Sequence, residues 1–145
     1  MWKYRSTNDW DNISLHDCRF THISEGENDI TFELAEGYWI WDTNEQNPYK
    51  KILGTDKSRL TLTNAAFIKA EVEGQAMAWE DYCLKINSGE WKFECINENY
   101  NDQKCVYEGW VWFHGEPYHF DCRLEFTFQN AVYHWNKICE NRTWQ

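Results

Sequence analysis

The sequence has little proline, few basic residues and no long apolar run. Only two prolines occur among 145 residues and 18% of the residues are aromatic, which is not the composition of a disordered chain. No apolar segment approaches the length that a bilayer-spanning helix needs. Lys and Arg total 14 against 24 Asp and Glu, a formal charge of −10. This balance argues against nucleic acid, which requires a basic stripe, and against an anionic membrane surface.

Motifs that carry well-known chemistry are also missing. There is no Cys-x-x-Cys pair, no phosphate-cradling glycine loop, no Gly-x-Ser-x-Gly elbow and no His-Glu-x-x-His helix. We therefore expect no cofactor, no metal and no assigned catalytic residue. The first eight residues lack the apolar segment of a secretory signal, so we expect a cytoplasmic protein. The six cysteines would then remain reduced thiols, most of them in the core.

The most regular pattern in the chain is an unbroken alternation over residues 118–128. One parity is apolar and the other is polar, which predicts a β-strand with one buried face. The apolar set comprises Tyr118, Phe120, Cys122, Leu124, Phe126 and Phe128, and the polar set comprises His119, Asp121, Arg123, Glu125 and Thr127.

About ten short apolar segments of this kind are separated by turn residues, which predicts an all-β fold. We expect residues 1–145 to form a single-domain antiparallel two-sheet sandwich, jelly-roll-like or a partly closed barrel. One predicted hairpin runs from residue 15 to residue 34 around an acidic turn at 25–28. A second runs from residue 82 to residue 96 around Ser88-Gly89, with Leu84 and Phe93 facing each other in the core.

A third predicted hairpin supplies the candidate binding surface. If Phe113 lies opposite Tyr118, Trp112 lies opposite His119 and Trp110 opposite Asp121 on the outer face. Arg123 follows on the same face, with Glu125 beyond it. Indoles beside carboxylate and guanidinium groups suit a polar ring-shaped ligand or a protein partner. The alternative is that another segment covers this face, with Asp121 and Arg123 neutralising each other.

Two further groups are weaker candidates. His16, Cys18 and His22 would share one face of a strand, but they are spread too far along it for one tetrahedral zinc site and lack a fourth ligand. We favour a structural role for them. A cysteine nucleophile assisted by histidine is possible in any chain with six Cys and five His, and no local signature supports it.

One short motif carries a resemblance. Ile13-Ser14-Leu15-His16-Asp17-Cys18-Arg19-Phe20, followed by an acidic turn and Gly37-Tyr38-Trp39, resembles the start of small bacterial proteins of uncharacterised function. In these proteins an LHDC strand leads into a hairpin that ends in an aromatic run. The resemblance covers the first 40 residues and brings no catalytic residue. It implies an intracellular, non-enzymatic bacterial protein.

Together these observations predict a binding protein. It would engage a protein partner through Trp110, Trp112, His119, Asp121 and Arg123, for example as an immunity-type protein whose negative charge complements a basic toxin. The first alternative is a carbohydrate-binding β-sandwich module that uses the same tryptophans. The second is a Cys/His-dependent enzyme. The sequence does not fix the oligomeric state.

Overall fold

The computed structural model describes residues 1–144 and is built from short strands. This part of the chain contains fifteen strands and one helix. In chain order they are β1 (Tyr4–Thr7), β2 (Ile13–Ser14), β3 (Cys18–Phe20), β4 (His22–Glu25), β5 (Ile30–Leu34), β6 (Trp39–Ile40), β7 (Leu53–Thr55), β8 (Ser58–Thr63), β9 (Ala66–Val72), β10 (Gln75–Ala76), α1 (Trp79–Asn87), β11 (Lys92–Asn101), β12 (Lys104–Trp112), β13 (His119–Thr127), β14 (Asn130–Trp135) and β15 (Ile138–Thr143).

The strands form three antiparallel sheets, and the all-β prediction is confirmed. A five-stranded sheet has the order β1-β14-β8-β5-β4, and a six-stranded sheet has the order β10-β9-β13-β12-β11-β3. A four-stranded sheet has the order β15-β7-β6-β2. Strands of two to four residues account for the excess over the ten that the sequence predicts. None of the helical segments in the described chain has the length and apolar content that a bilayer-spanning helix requires.

The main core lies between the five-stranded and six-stranded sheets. Phe32 of β5 is fully buried, and its ring lies 4.6 Å from that of Phe20, 5.6 Å from that of Phe126 and 6.1 Å from that of Tyr107, measured between centroids. The three contacting rings all belong to the six-stranded sheet. Interdigitated aromatic rings from two facing sheets are the packing of a β-sandwich.

The four-stranded sheet is joined to this sandwich through Tyr38. The Tyr38 side chain is fully buried, and its hydroxyl lies 2.9 Å from the carbonyl oxygen of His134 and 3.1 Å from that of Arg59. Its backbone N–H donates to the Thr55 hydroxyl at 3.1 Å. Buried polar groups are thus paired across the junction, which is how a sheet packs against strand ends without a large energetic cost.

The predicted hairpin over 82–96 is wrong in its first half, because residues 79–87 form α1. Tyr82 and Ile86 are buried one helical turn apart, whereas Leu84, which the strand interpretation placed in the core, is 67% exposed. Ser88 and Gly89 do not form a hairpin turn. Their N–H groups donate to the carbonyls of Leu84 and Ile86, and Gly89 has a φ of +81°, so they end the helix.

The predicted hairpin over 15–34 is only partly correct. Residues 15–17 are not in a strand, Cys18–Phe20 belongs to the six-stranded sheet, and only His22–Glu25 pairs with β5. The chain changes sheet at Thr21, so the histidines and Cys18 do not share one strand face. The open edge of β4 is covered by Asn87 at the end of α1, whose side chain accepts from the Ile23 N–H at 2.7 Å and donates to the Ile23 carbonyl at 2.8 Å.

Candidate functional site

The predicted register of the β12–β13 hairpin is confirmed residue by residue. Trp112 lies opposite His119, and Trp110 lies opposite Asp121. Because the alternation is so regular, burial of the apolar parity selects this pairing, and a slip of one residue would have exposed that whole set. Cys122, Leu124, Phe126 and Phe128 are buried as expected, and Phe120 is half-buried. Tyr118 is an exception: it is 55% exposed, in the turn before β13, with a φ of +78°.

A β-bulge in the neighbouring strand shapes the surface beside Trp110. The β11–β12 pairing shifts between Cys95 and Asn97, so Ile96 is an extra residue on β11. The bulge presses the β11 backbone against Gly109, where a Cβ atom would lie 1.8 Å from the Glu94 carbonyl oxygen. Only glycine fits this position. The bulged backbone and Gly109 together leave a hollow in the outer face of the sheet.

Three of the predicted site residues form an aromatic cluster. Trp110, Trp112 and His119 are half-buried. The two indoles meet edge to face, with centroids 6.0 Å apart and planes at 81°, and the His119 ring lies 4.8 Å from that of Trp112. The Arg19 guanidinium lies 5.8 Å from the Trp112 ring centroid. Within the described chain, the buried Trp112 Nε1 and His119 Nδ1 atoms have no hydrogen-bond partner. The cluster therefore contains two nitrogen atoms that can still form hydrogen bonds.

Asp121 and Arg123 do not neutralise each other, as the alternative interpretation of this face required. Arg123 instead contacts Glu108 at 2.9 Å and Glu125 at 3.0 Å, and Lys104 contacts Glu125 at 2.9 Å. Hydrogen bonds from Arg123 and then Lys104 lower the pKa of Glu125, which is buried, so it stays ionised. The exposed Asp121 carboxylate makes no hydrogen bond or ion pair with residues 1–144. The Asp121 backbone N–H donates to Glu73 at 3.1 Å, which brings a second carboxylate close.

The outer face contains a surface depression of about 390 Å³ beside Trp110. We call it the Trp110 depression. Its charged lining consists of three carboxylates and one guanidinium: Glu71, Glu108, Asp121 and Arg123. Arg123 is engaged by Glu108 and Glu125, and Glu71 contacts Lys69 at 3.0 Å. Asp121 is therefore the lining carboxylate that no cation of the described chain neutralises.

Sequence reasoning missed the residues that neighbouring strands add to this face. Glu94 and Arg19 lie opposite each other on β11 and β3, paired at 3.1 Å, and Glu71 comes from β9. No local pattern identifies them, since strand order is set by contacts distant in sequence. Glu108 could have been found, because it shares the parity of Trp110 on the same strand.

The other two predicted groups consist of histidine and cysteine side chains. No cluster of three or more potential metal ligands occurs among the residues that the structure describes. His16 Nδ1 lies 2.8 Å from the Ile96 carbonyl oxygen, and the Cys18 thiol lies 3.4 Å from the backbone carbonyl of His16, not from its ring. Burial raises the pKa of Cys105 and Cys122 to about 12, so these thiols do not ionise at neutral pH.

A larger depression lies on another part of the surface. It measures about 470 Å³, and it is lined by Lys3, Tyr4 and residues 136–141 among others. Its two lysines oppose a single glutamate, and no tryptophan lines it. Its volume alone indicates no chemistry, so the Trp110 depression is the better candidate.

The chain was compared with protein families, curated proteins and solved structures. No family model, no curated protein and no solved structure matches this chain.

Proposed function

We propose that this chain is a non-enzymatic bacterial binding protein that engages a basic protein partner through the outer face of β12 and β13. The contact residues are Trp110, Trp112, His119, Asp121 and Arg123. The observation that carries the proposal is the free Asp121 carboxylate beside a half-exposed Trp110 at the edge of a surface depression. An immunity-type role, in which an acidic protein neutralises a basic toxin, is one form of this function.

Charge supports a basic partner. The chain carries a formal charge of −10, and carboxylates outnumber cations around the Trp110 depression. Complementary charge raises association rates and excludes partners of the same sign. Tryptophan and arginine are also the residue types most enriched among those that dominate binding energy at protein interfaces.

The aromatic geometry favours a protein over a glycan. A flat sugar-binding platform needs indoles in similar planes, whereas Trp110 and Trp112 are nearly perpendicular. The carbohydrate-binding alternative predicts that neutral glycans shift the tryptophan fluorescence. The Cys/His enzyme alternative finds no support in the buried thiols, whose raised pKa values oppose nucleophile formation.

We also propose a cytoplasmic location. All six cysteines are unpaired in the described chain, and four of them are buried. Free thiols in this number suit a reducing compartment, where disulfides do not persist.

The test is charge-dependent capture from a bacterial lysate. Wild-type protein, Asp121→Lys and Asp11→Lys are immobilised, and retained proteins are quantified by mass spectrometry. Asp11 is a matched control because it is also an exposed aspartate, but it lies in the turn before β2 and does not line the Trp110 depression. We expect a set of basic proteins that Asp11→Lys retains and Asp121→Lys loses, and this set should dissociate at high salt. Equal capture by both variants, or no specific capture, refutes the proposal.

A further inference from the structure

We infer that the Trp110 depression is a binding site for an arginine side chain of the partner. This inference rests on the proposed function and names the group that the surface recognises. A site of this kind requires an aromatic ring, a free carboxylate and a concave surface. Residues of three strands supply these features. Trp110 comes from β12, Asp121 from β13 and Glu71 from β9.

The chain uses the same recognition chemistry internally. Arg19, Arg59 and Arg142 each place a guanidinium group over an indole, at 5.8, 5.2 and 5.3 Å from the ring centroids of Trp112, Trp2 and Trp39. Two of these arginines also contact a carboxylate, Arg19 at Glu94 and Arg59 at Glu33. An arginine that contacts both an indole and a carboxylate therefore occurs twice in this fold, a combination that cation–π attraction and charge pairing both favour.

Trp110 has a carboxylate beside it, that of Asp121, but no cation over its ring. Among residues 1–144, no arginine or lysine lies over its ring, and Asp121 makes no ion pair. Arg123 does not supply the missing group, because Glu108 and Glu125 hold its guanidinium. An external cation would complete the pattern.

Arginine fits this site better than lysine. A guanidinium is flat, is weakly hydrated and has five donors in a fixed fork, so it can stack on an indole while it donates to carboxylates. Trp110 offers the stacking surface and Asp121 offers a free acceptor, while Glu71 and Glu108 add negative potential. A lysine ammonium would gain the charge attraction but not the stacking.

The experiment measures the binding of single side-chain probes by NMR. N-acetyl-arginine amide, its lysine counterpart and its neutral citrulline counterpart are titrated separately into ¹⁵N-labelled protein. The readout is the indole N–H resonance of Trp110, assigned by its loss in Trp110→Phe. We expect a saturable shift with arginine, a weaker response to lysine and none to citrulline.

Two variants locate the interaction. Asp121→Asn should weaken arginine binding about fivefold, the effect of removing a partly exposed ion pair. Asp11→Asn should leave the affinity unchanged. An equal response to citrulline, or equal arginine affinity in Asp121→Asn and wild type, overturns the inference. Thermal unfolding of each variant verifies that the fold is retained.

The inference and the proposed function can fail separately. If arginine does not bind but Asp121→Lys still abolishes partner capture, the function stands and the depression is not an arginine site. If arginine binds as expected but Asp121→Lys captures the same proteins as wild type, the arginine site stands and the proposed function fails.

Discussion

Glu98 is a carboxyl group on the inner face of β11, just beyond the bulge. It lies opposite Tyr107, and it accepts hydrogen bonds from the Leu15 N–H at 2.7 Å and from the Tyr100 hydroxyl at 2.8 Å. Burial raises the pKa of Glu98 from 4.5 to about 7, which outweighs the lowering by these two hydrogen bonds and by His16. The folded protein therefore holds a proton that the unfolded chain releases in mildly acidic solution.

This shift sets the direction of a pH effect on stability. Between pH 4.5 and 7 the unfolded chain binds fewer protons at this site than the folded chain, so the free energy of unfolding falls as the pH rises. The contribution of Glu98 is complete below pH 4.5 and is lost as the pH passes through about 7. At 1.36 kcal/mol per pKa unit, the shift from 4.5 to 7 corresponds to a loss of about 3 kcal/mol.

The substitution Glu98→Gln isolates this effect, because an amide has the shape of the protonated carboxyl and no charge. Its oxygen can accept from Leu15 and its NH₂ can donate to Tyr100. We expect wild type and variant to have similar stability at pH 4.5, and the variant to be more stable at pH 8 by up to about 3 kcal/mol. Urea denaturation followed by tryptophan fluorescence at pH 4.5, 6, 7 and 8 measures this difference. Stability differences that do not change with pH would refute the reasoning.

Three further outcomes follow from the packing. Gly109→Ala should destabilise the fold by about 3 kcal/mol, since its Cβ atom would collide with backbone, whereas Gly26→Ala, with no atom closer than 3.9 Å, should be nearly neutral in the same denaturation assay. Asn87→Ala should cost about 2 kcal/mol in that assay, because two backbone groups of the β4 edge lose their partner. Thiol alkylation at neutral pH, mapped by mass spectrometry, should modify the partly exposed Cys83 and Cys139 before the four buried cysteines. Rapid, selective modification of a buried thiol would instead support the Cys/His-dependent enzyme.

The β12–β13 hairpin could be predicted in detail because the alternation of its residues and its short connection indicate the same register. Nine residues of β13 alternate strictly, and only six residues separate β13 from β12. Burial of one parity then leaves a single register, so Trp110 and Asp121 could be placed side by side from the sequence.

Alternation of apolar residues gave the wrong secondary structure for residues 79–87. Tyr82, Leu84 and Ile86 fit a period of two, but Trp79, Tyr82 and Ile86 also fit a helical period. The acidic residues at its start and the lysine in its last turn suit the helix dipole. Short apolar runs of this kind satisfy both patterns, and tertiary packing against β4 and β9 decides between them.

The prediction of a hairpin over residues 15–34 was wrong for a different reason. A strand pattern shows which residues are buried but not which sheet they join, and the chain between Cys18 and Glu25 contributes to two sheets. Arg19 reaches the candidate site, opposite Glu94 of β11, only through that change of sheet. The neighbours of Trp110 from β3, β9 and β11 therefore depend on long-range strand order, which alternation within a strand does not encode.

The Trp110 depression and the stability of the fold both depend on Gly109. This glycine admits the β11 bulge, and its backbone forms part of the floor beside Trp110. A substitution at Gly109 would change the surface and the fold together, so lost binding in such a variant would not identify a contact residue. The Asp121 side chain is exposed on the outer face and has no partner within the described chain. Its removal changes the surface charge while leaving the bulge and the core intact, and Asp121 is therefore the position at which binding can be separated from folding.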